Sequence, residues 1–217
     1  MKILLISDVH LTHKFKKRKY DYLYSLISKY EKVIIVGDFW SAYDCKFNRF
    51  VNSKWEGLFP LLKERHAIYI YGNHDRKRWC DERVYRFCDL AQRDYSLQIG
   101  ETDYHISHGV EYLVDSINNE LFMFLHRKLK AYVLSHFLER TVLKLLGYNK
   151  FIEIGRKLNE IQRFEIGDDT RFSIVGHTHS PELLKRKRYA NLGFINYGYA
   201  SYAVISDKGI KLFKENY

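Results

Sequence analysis

Residues 66–75 read HAIYIYGNHD: an apolar run that stops at Gly72 and is followed by three polar side chains, Asn73, His74 and Asp75. A short apolar run rich in Ile and Tyr and bounded by Gly predicts a buried strand. Both faces of the run are apolar, the pattern of a central sheet covered on two sides. Polar side chains at the end of such a strand are costly to hold unless something binds them.

The same unit recurs along the chain. KILLIS (2–7) leads to Asp8 and His10, KVIIVGD (32–38) to Asp38, ISHG (106–109) to His108 and RFSIVG (171–176) to His177 and His179. Shorter strands are expected near 95–99 and 103–107, and ASYAVISDKGIKLFK (200–214) reads as a hairpin turning at Asp207-Lys208-Gly209. Helical patterns fall near 18–30 and between the second strand and about residue 64. Alternation of strands and helices gives the α/β class.

Residues 111–166 differ, being helical in pattern throughout. Gly147 is expected to end one long helix and Gly155 to interrupt the next. The stretch lies between two strand-loop units, so it reads as a helical insertion or cap on one domain spanning 1–217. No linker, composition break or internal repeat divides the 217 residues.

The formal net charge is +10, which favours anionic partners such as phosphorylated substrates, nucleic acid or an anionic membrane surface. Two runs hold much of it, HKFKKRK (13–19) and KRKR (185–188), and both are expected on the rim of the site. Cys45, Cys80 and Cys88 lack metal-type spacing and read as free thiols of a reducing, cytoplasmic compartment. ILLI is too short for a signal core, which needs about 7–15 apolar residues, and no run approaches a membrane span.

A lone His is usually structural, and Gly-Asp alone is a turn. Five polar motifs, each following an apolar run, are another matter. Asp8, His10, Asp38, Asn73, His108, His177 and His179 combine imidazole, carboxylate and amide, a set suited to Mn, Fe or Zn. Residues i and i+2 leaving a strand point the same way, so Asp8-x-His10 and His177-x-His179 can each grip one region. Gly37, Gly72, Gly109 and Gly176 permit tight turns there. Seven ligands with one bridging carboxylate fill two sites about 3.5–4 Å apart, the usual clamp for phosphoester hydrolysis. His13, His66, His105, His126 and His136 lack this context and read as structural or surface residues.

DVH, GD, GNHD, SHG and GHTH, in that order from residue 8 to 179, resemble the calcineurin-like metallophosphoesterase superfamily. The resemblance implies a two-sheet β-sandwich flanked by helices. It implies one divalent ion, Mn first and Fe or Zn as alternatives, on Asp8, His10, Asp38 and His179. A second would sit on Asp38, Asn73, His108 and His177, with Asp38 as the bridge. It further implies a metal-bridging hydroxide attacking phosphorus in line, with His74 protonating the leaving oxygen or steadying the transition state. Asp75 would orient His74 and keep it protonated. Arg76, directly after the motif, is a candidate for binding substrate.

Within that superfamily the chain is most similar to the UDP-2,3-diacylglucosamine diphosphatase group, by its length, its GDFW and its helical insertion after SHG. That group implies a diphosphate, UDP-linked or lipid-linked, with the insertion as a lid and a peripheral contact with the membrane. Leu121, Phe122, Phe124, Leu125, Leu129, Tyr132, Val133, Leu134, Phe137 and Leu138 would line the lid or pack it on the domain. Val110 and Ser41 stand where that group has acidic residues. Two other readings compete: a phosphoesterase acting on nucleic acid or phosphoprotein, and a non-catalytic interaction scaffold. The scaffold reading predicts eroded ligands or loss of His74, and the sequence has neither.

Overall fold

A computed structural model describes residues 1–112, 131–167 and 169–217, with the backbone alone over 131–140. In chain order the elements are β1 (Ile3–Ile6), α1 (Lys17–Ser28), β2 (Lys32–Val36), α2 (Phe47–Val51), α3 (Phe59–Glu64), β3 (Ile68–Ile70) and β4 (Leu90–Gln92). Then come β5 (Asp94–Ile99), β6 (Thr102–Ser107), α4 (Ala131–Ile166), β7 (Phe172–Val175), β8 (Glu182–Leu184), β9 (Tyr189–Asn191), β10 (Ile195–Asn196), β11 (Tyr199–Ser206) and β12 (Gly209–Asn216).

Two mixed sheets result. The first runs β10-β11-β1-β2-β3-β4, with β12 also paired to β11; β1 to β4 are mutually parallel and β11 is antiparallel to β1. The second runs β5-β6-β7-β9-β8, with β6, β7 and β9 parallel.

Strand alternation explains why the central runs are apolar throughout. Leu4, Ile6, Val33, Ile35 and Tyr69 face a core shared with the helices. Ile3, Leu5, Ile34, Val36, Ile68 and Ile70 face a second core against Tyr104, Ile106, Phe172 and Ile174 of the other sheet. Full burial of each such side chain contributes about 1.5–3 kcal/mol, so both faces of every central strand help to fix the sandwich. α1 turns Leu23, Leu26 and Ile27 onto the first core.

The stretch expected to be helical up to residue 64 is broken into two short helices joined by a 3-10 turn, Lys54–Leu58. Ser53 accepts a hydrogen bond from Trp55 N–H and starts that turn, and Pro60 lies in the first turn of α3. The terminal hairpin forms as expected, with Ser206 opposite Gly209 across the turn.

α4 is two helical limbs meeting at Gly147, whose φ of 76° and ψ of 167° leave the helical region. Gly155, expected to break the helix as well, stays within it. A Cβ at Gly155 would lie 2.6 Å from Ser180 Cβ, so glycine there lets the limb press against the loop after His179. Leu143 and Ile152 pack with Phe194 in a third cluster. Leu121, Phe122, Phe124, Leu125, Leu129 and His126 lie outside the described residues. The side chains of Tyr132, Val133, Leu134, His136, Phe137 and Leu138 are not among those described.

Among the described residues no helix is long and apolar enough to cross a membrane. All three cysteines are free, Cys45 and Cys88 buried and Cys80 half-buried.

Candidate metal centre

The carboxyl ends of β1, β2 and β3 meet those of β6 and β7 at one edge of the sandwich. Backbone groups seat the acids there. Asp8 Oδ2 accepts from the Ser7 hydroxyl and from His177 N–H at 3.0 Å, joining the first loop to the last. Asp38 Oδ1 accepts His74 N–H at 2.8 Å, joining the second loop to the third. The approaches leave no room for side chains at two glycines: a Cβ on Gly72 would overlap Asp38 Oδ1, and one on Gly176 would overlap Ser7 Oγ.

The remaining atoms converge. His179 Nε2 lies 3.2 Å from Asp8 Oδ1 and 3.1 Å from His10 Nε2. Asp38 Oδ2 lies 3.4 Å from His108 Nε2 and 3.9 Å from both His10 Nε2 and His74 Nε2. His108 Nε2 is 3.1 Å from Asn73 Oδ1, and the His108 and His177 rings are 5.2 Å apart. All seven residues singled out as ligands therefore reach one cluster, with Asp38 at its centre.

Divalent ions fit this donor set. Among the described residues Asp8 Oδ1 is buried with only imidazole nitrogens beside it, His179 Nε2 at 3.2 Å and His10 Nε2 at 3.8 Å, a setting natural for an oxygen aimed at a cation. His108 Nδ1 donates to Val36 O at 3.0 Å, which turns Nε2 inward as a lone-pair donor. Three groupings place their ligand atoms within 4.8 Å of one another: Asp8 with His10 and His179, His10 with Asp38 and His74, and Asp8 with Asp38 and His108.

The acids and imidazoles of the cluster act on one another's protonation. Burial alone would raise Asp8, but the nearby His179 and His108 charges outweigh it and lower its pKa. His108 and His74 do the same, more strongly, for Asp38. Burial disfavours the His108 imidazolium, yet Asp38 and Asp8 push that imidazole up to about 10. Burial and the His108 charge bring His177 down to about 4. Burial and the His74 charge hold His10 well below the usual range.

The backbone is also strained toward this geometry. Asp8, His10, Asp38, His177 and His179 all have φ between 48° and 73°, a region costing about 1–3 kcal/mol for each residue without glycine's freedom. Such outliers gather where shape serves a site.

His74 stands at the cluster's edge. Ser41 Oγ is 3.4 Å from His74 Nδ1, and the Tyr43 ring meets the imidazole edge-on at 4.3 Å. Asp75 departs from its expected role. Its two carboxylate oxygens accept Phe39 N–H at 2.7 Å and Gly72 N–H at 2.6 Å, so its described bonds clamp the second and third loops rather than the His74 ring. Burial, and then the charge of Asp38, pushes the Asp75 carboxyl up to about 7.

The basic runs separate. Lys19 is buried and donates to Val9 O, between Asp8 and His10, so residues 13–19 adjoin the first loop. KRKR does not lie on the rim. β8 runs antiparallel to β9 and carries the chain to the far end of the sheet, where Arg188 O accepts Ser173 N–H at the start of β7. Tyr43 and the buried Asn159 and Gln162 of α4 were not singled out from sequence, and Ser41 was noted there only as a departure from a family pattern. They belong to no motif, and only the folded chain brings them near.

A family model described as the calcineurin-like phosphoesterase superfamily domain matches residues 1–211. A search of the curated proteins gives no match. Among solved structures, the Thermotoga maritima protein TM1076 is 18% identical with a TM-score of 0.48, covering 100% of this chain and 99% of that one. Yfce, a phosphoesterase from E. coli, is 15% identical with a TM-score of 0.46, covering 95% and 88%. Vacuolar protein sorting 29 from Cryptosporidium parvum is 14% identical with a TM-score of 0.43, covering 100% and 97%.

Proposed function

Because this chain belongs to the calcineurin-like phosphoesterase superfamily, we propose that it is a dinuclear metal-dependent hydrolase of phosphodiester or diphosphate bonds. The observation that carries the reading is the convergence on Asp38 Oδ2 of imidazole nitrogens from three other loops. Asp8, His10, Asp38 and His179 would hold one ion, and Asp38, Asn73, His108 and His177 the other. Bound ions of this kind lower the pKa of water and draw negative charge from phosphoryl oxygens. Mn is the first choice, with Fe and Zn as alternatives.

The chain's own residues do the rest. Asp38 Oδ1, fixed by His74 N–H, leaves Oδ2 to face both sites. The His74 ring, one-fifth exposed at the rim of the cluster, can reach an oxygen of a bound phosphate. There it donates a proton to the leaving oxygen or steadies the charge that builds on phosphorus. Ser41 and Tyr43 hold the ring's aspect. Asp75 acts through the loops that position Asn73 and His74, not through the proton itself.

A lipid-linked diphosphate remains the finer reading, and the exposed apolar residues of α4 favour it. Leu145, Leu146, Ile154 and Phe164 are each more than half exposed, unusual for a helix otherwise packed on the domain. They suit acyl chains or a membrane surface, but Val110 and Ser41 still depart from the diacylglucosamine diphosphatase pattern.

The test is hydrolysis of bis-p-nitrophenyl phosphate before and after chelation. The expected result is activity lost on chelation and restored by Mn. A chain that rebinds metal yet hydrolyses no phosphoester would favour the scaffold alternative.

A further inference from the structure

The proposed ligands His177 and His179 have Thr178 between them, and the Thr178 hydroxyl is the node of a buried polar network. It donates to Asn159 Oδ1 at 2.6 Å and accepts from Asn191 Nδ2 at 3.0 Å and from Ser180 N–H at 3.3 Å. Its one hydrogen and both its lone pairs are thereby used. The Asn159 amide donates in turn to Ser180 O at 3.0 Å and to Glu182 Oε2 at 3.2 Å. Asn159, Ser180, Asn191 and Thr178 are all buried.

Asn159 comes from the second limb of α4, beyond Gly147. Gly155, Asn159 and Gln162 stand at i, i+4 and i+7, so they share one face of that limb. The face meets the loop closely: Gly155 has no room for a side chain beside Ser180, and Ser180 Oγ donates to Ile152 O at 2.8 Å. The turn it grips is strained. Thr178 N–H donates to Gly176 O at 2.9 Å, closing a three-residue turn on His177, whose φ is 73°, and His179 follows at 56°. Conformations of this kind persist only where the surroundings over-determine them. The first loop is built alike: Lys19 of α1 donates to Val9 O, between Asp8 and His10.

We propose that Asn159, acting through Thr178, is a positioning residue for His177 and His179, and that the second limb of α4 is a working part of the metal centre rather than a cap resting on it. The inference rests on the metal-binding reading and deepens it. Neither residue is a proposed ligand, yet their bond sets how well the two imidazoles are aimed. His179 serves one proposed site and His177 the other, so both ions should feel its loss. Such coupling is reciprocal: bound metal must steady the limb as the limb steadies the sites.

Mn binding to the full chain, by titration calorimetry, tests it in Thr178→Val, Asn159→Leu and Thr178→Ser. The first two remove one end of the bond or the other with little change of volume. They should weaken Mn by about tenfold, the usual size of a lost contact behind a ligand, whereas Thr178→Ser keeps the hydroxyl and should stay within about threefold. Amide exchange read by mass spectrometry gives the reciprocal side. Mn should slow exchange over residues 155–166 in the natural chain and in Thr178→Ser, and slow it less in Thr178→Val. A purely structural bond would lower the urea midpoint of the chelated variants and leave both Mn affinity and that slowing unchanged, which overturns the inference. Circular dichroism shows whether each variant is folded; should neither Thr178→Val nor Asn159→Leu fold, absence of the slowing in the natural chain overturns it. A natural chain that binds no Mn overturns the metal reading and this inference together, so the two failures stay distinguishable.

Discussion

Asp38 serves two purposes with two oxygens, one accepting a backbone N–H and the other facing three imidazoles. Its neighbours are chosen for that division. Gly72→Ala would drive a methyl group into Asp38 Oδ1, so the variant is expected to fold but lose most of its bound metal, measured by elemental analysis. His74 differs because it approaches the cluster without being one of the seven proposed ligands. His74→Ala is expected to keep its metal and lose activity on bis-p-nitrophenyl phosphate by about a hundredfold or more. Loss of metal from this variant would instead make His74 a ligand. These roles were partly legible in the sequence, since chemistry that needs Asp, His and Asn at strand ends leaves motifs. The Asp75 clamp was not legible, because its partners are backbone amides, which no side-chain pattern reveals.

Among the elements, β1, β2, β3 and β7 were readable because burial on both faces writes an uninterrupted apolar run. β8, β9 and β10 were not. They are two or three residues long and owe their existence to neighbouring strands. The position of KRKR was misread because closeness in sequence to GHTH says nothing of the direction in which β8 leaves the site. α4 was legible as helix, but not its anchoring. Gln162 donates to Gly109 O at 3.1 Å and accepts from Tyr189 Oη at 2.9 Å and Asn191 Nδ2 at 3.1 Å. It thereby ties α4 to the loops bearing His108 and His177. Gln162→Leu leaves the Tyr189 hydroxyl without that acceptor, and a buried group so stranded costs about 1–3 kcal/mol. A shift of that size is expected in urea unfolding, and a change below about 0.5 kcal/mol would show the contact to be incidental.

Across the whole molecule the positive charge is unevenly spread: one run beside the first loop, one at the far end, and Arg76 to Arg93 beside the centre. Within the centre the buried Asp8 and Asp38 carboxylates each keep one oxygen turned toward histidine nitrogens. Cations that bind those oxygens only in the folded chain would stabilise the fold by mass action. For a chain of this size each kcal/mol moves the melting midpoint by about 2–4 °C. Saturating Mn should therefore raise the midpoint of the chelated protein by roughly 8–16 °C for each ion bound at a thousandfold excess over its dissociation constant. An unchanged midpoint would argue against tight binding at these residues.

The measurement that bears most directly on the account is the number of Mn ions bound per chain, in the natural sequence and in Asp38→Asn. A dinuclear centre bridged by Asp38 predicts two ions in the first and fewer than two, with weaker binding, in the second. One ion or none in the natural sequence, or two bound equally tightly in the variant, would contradict it.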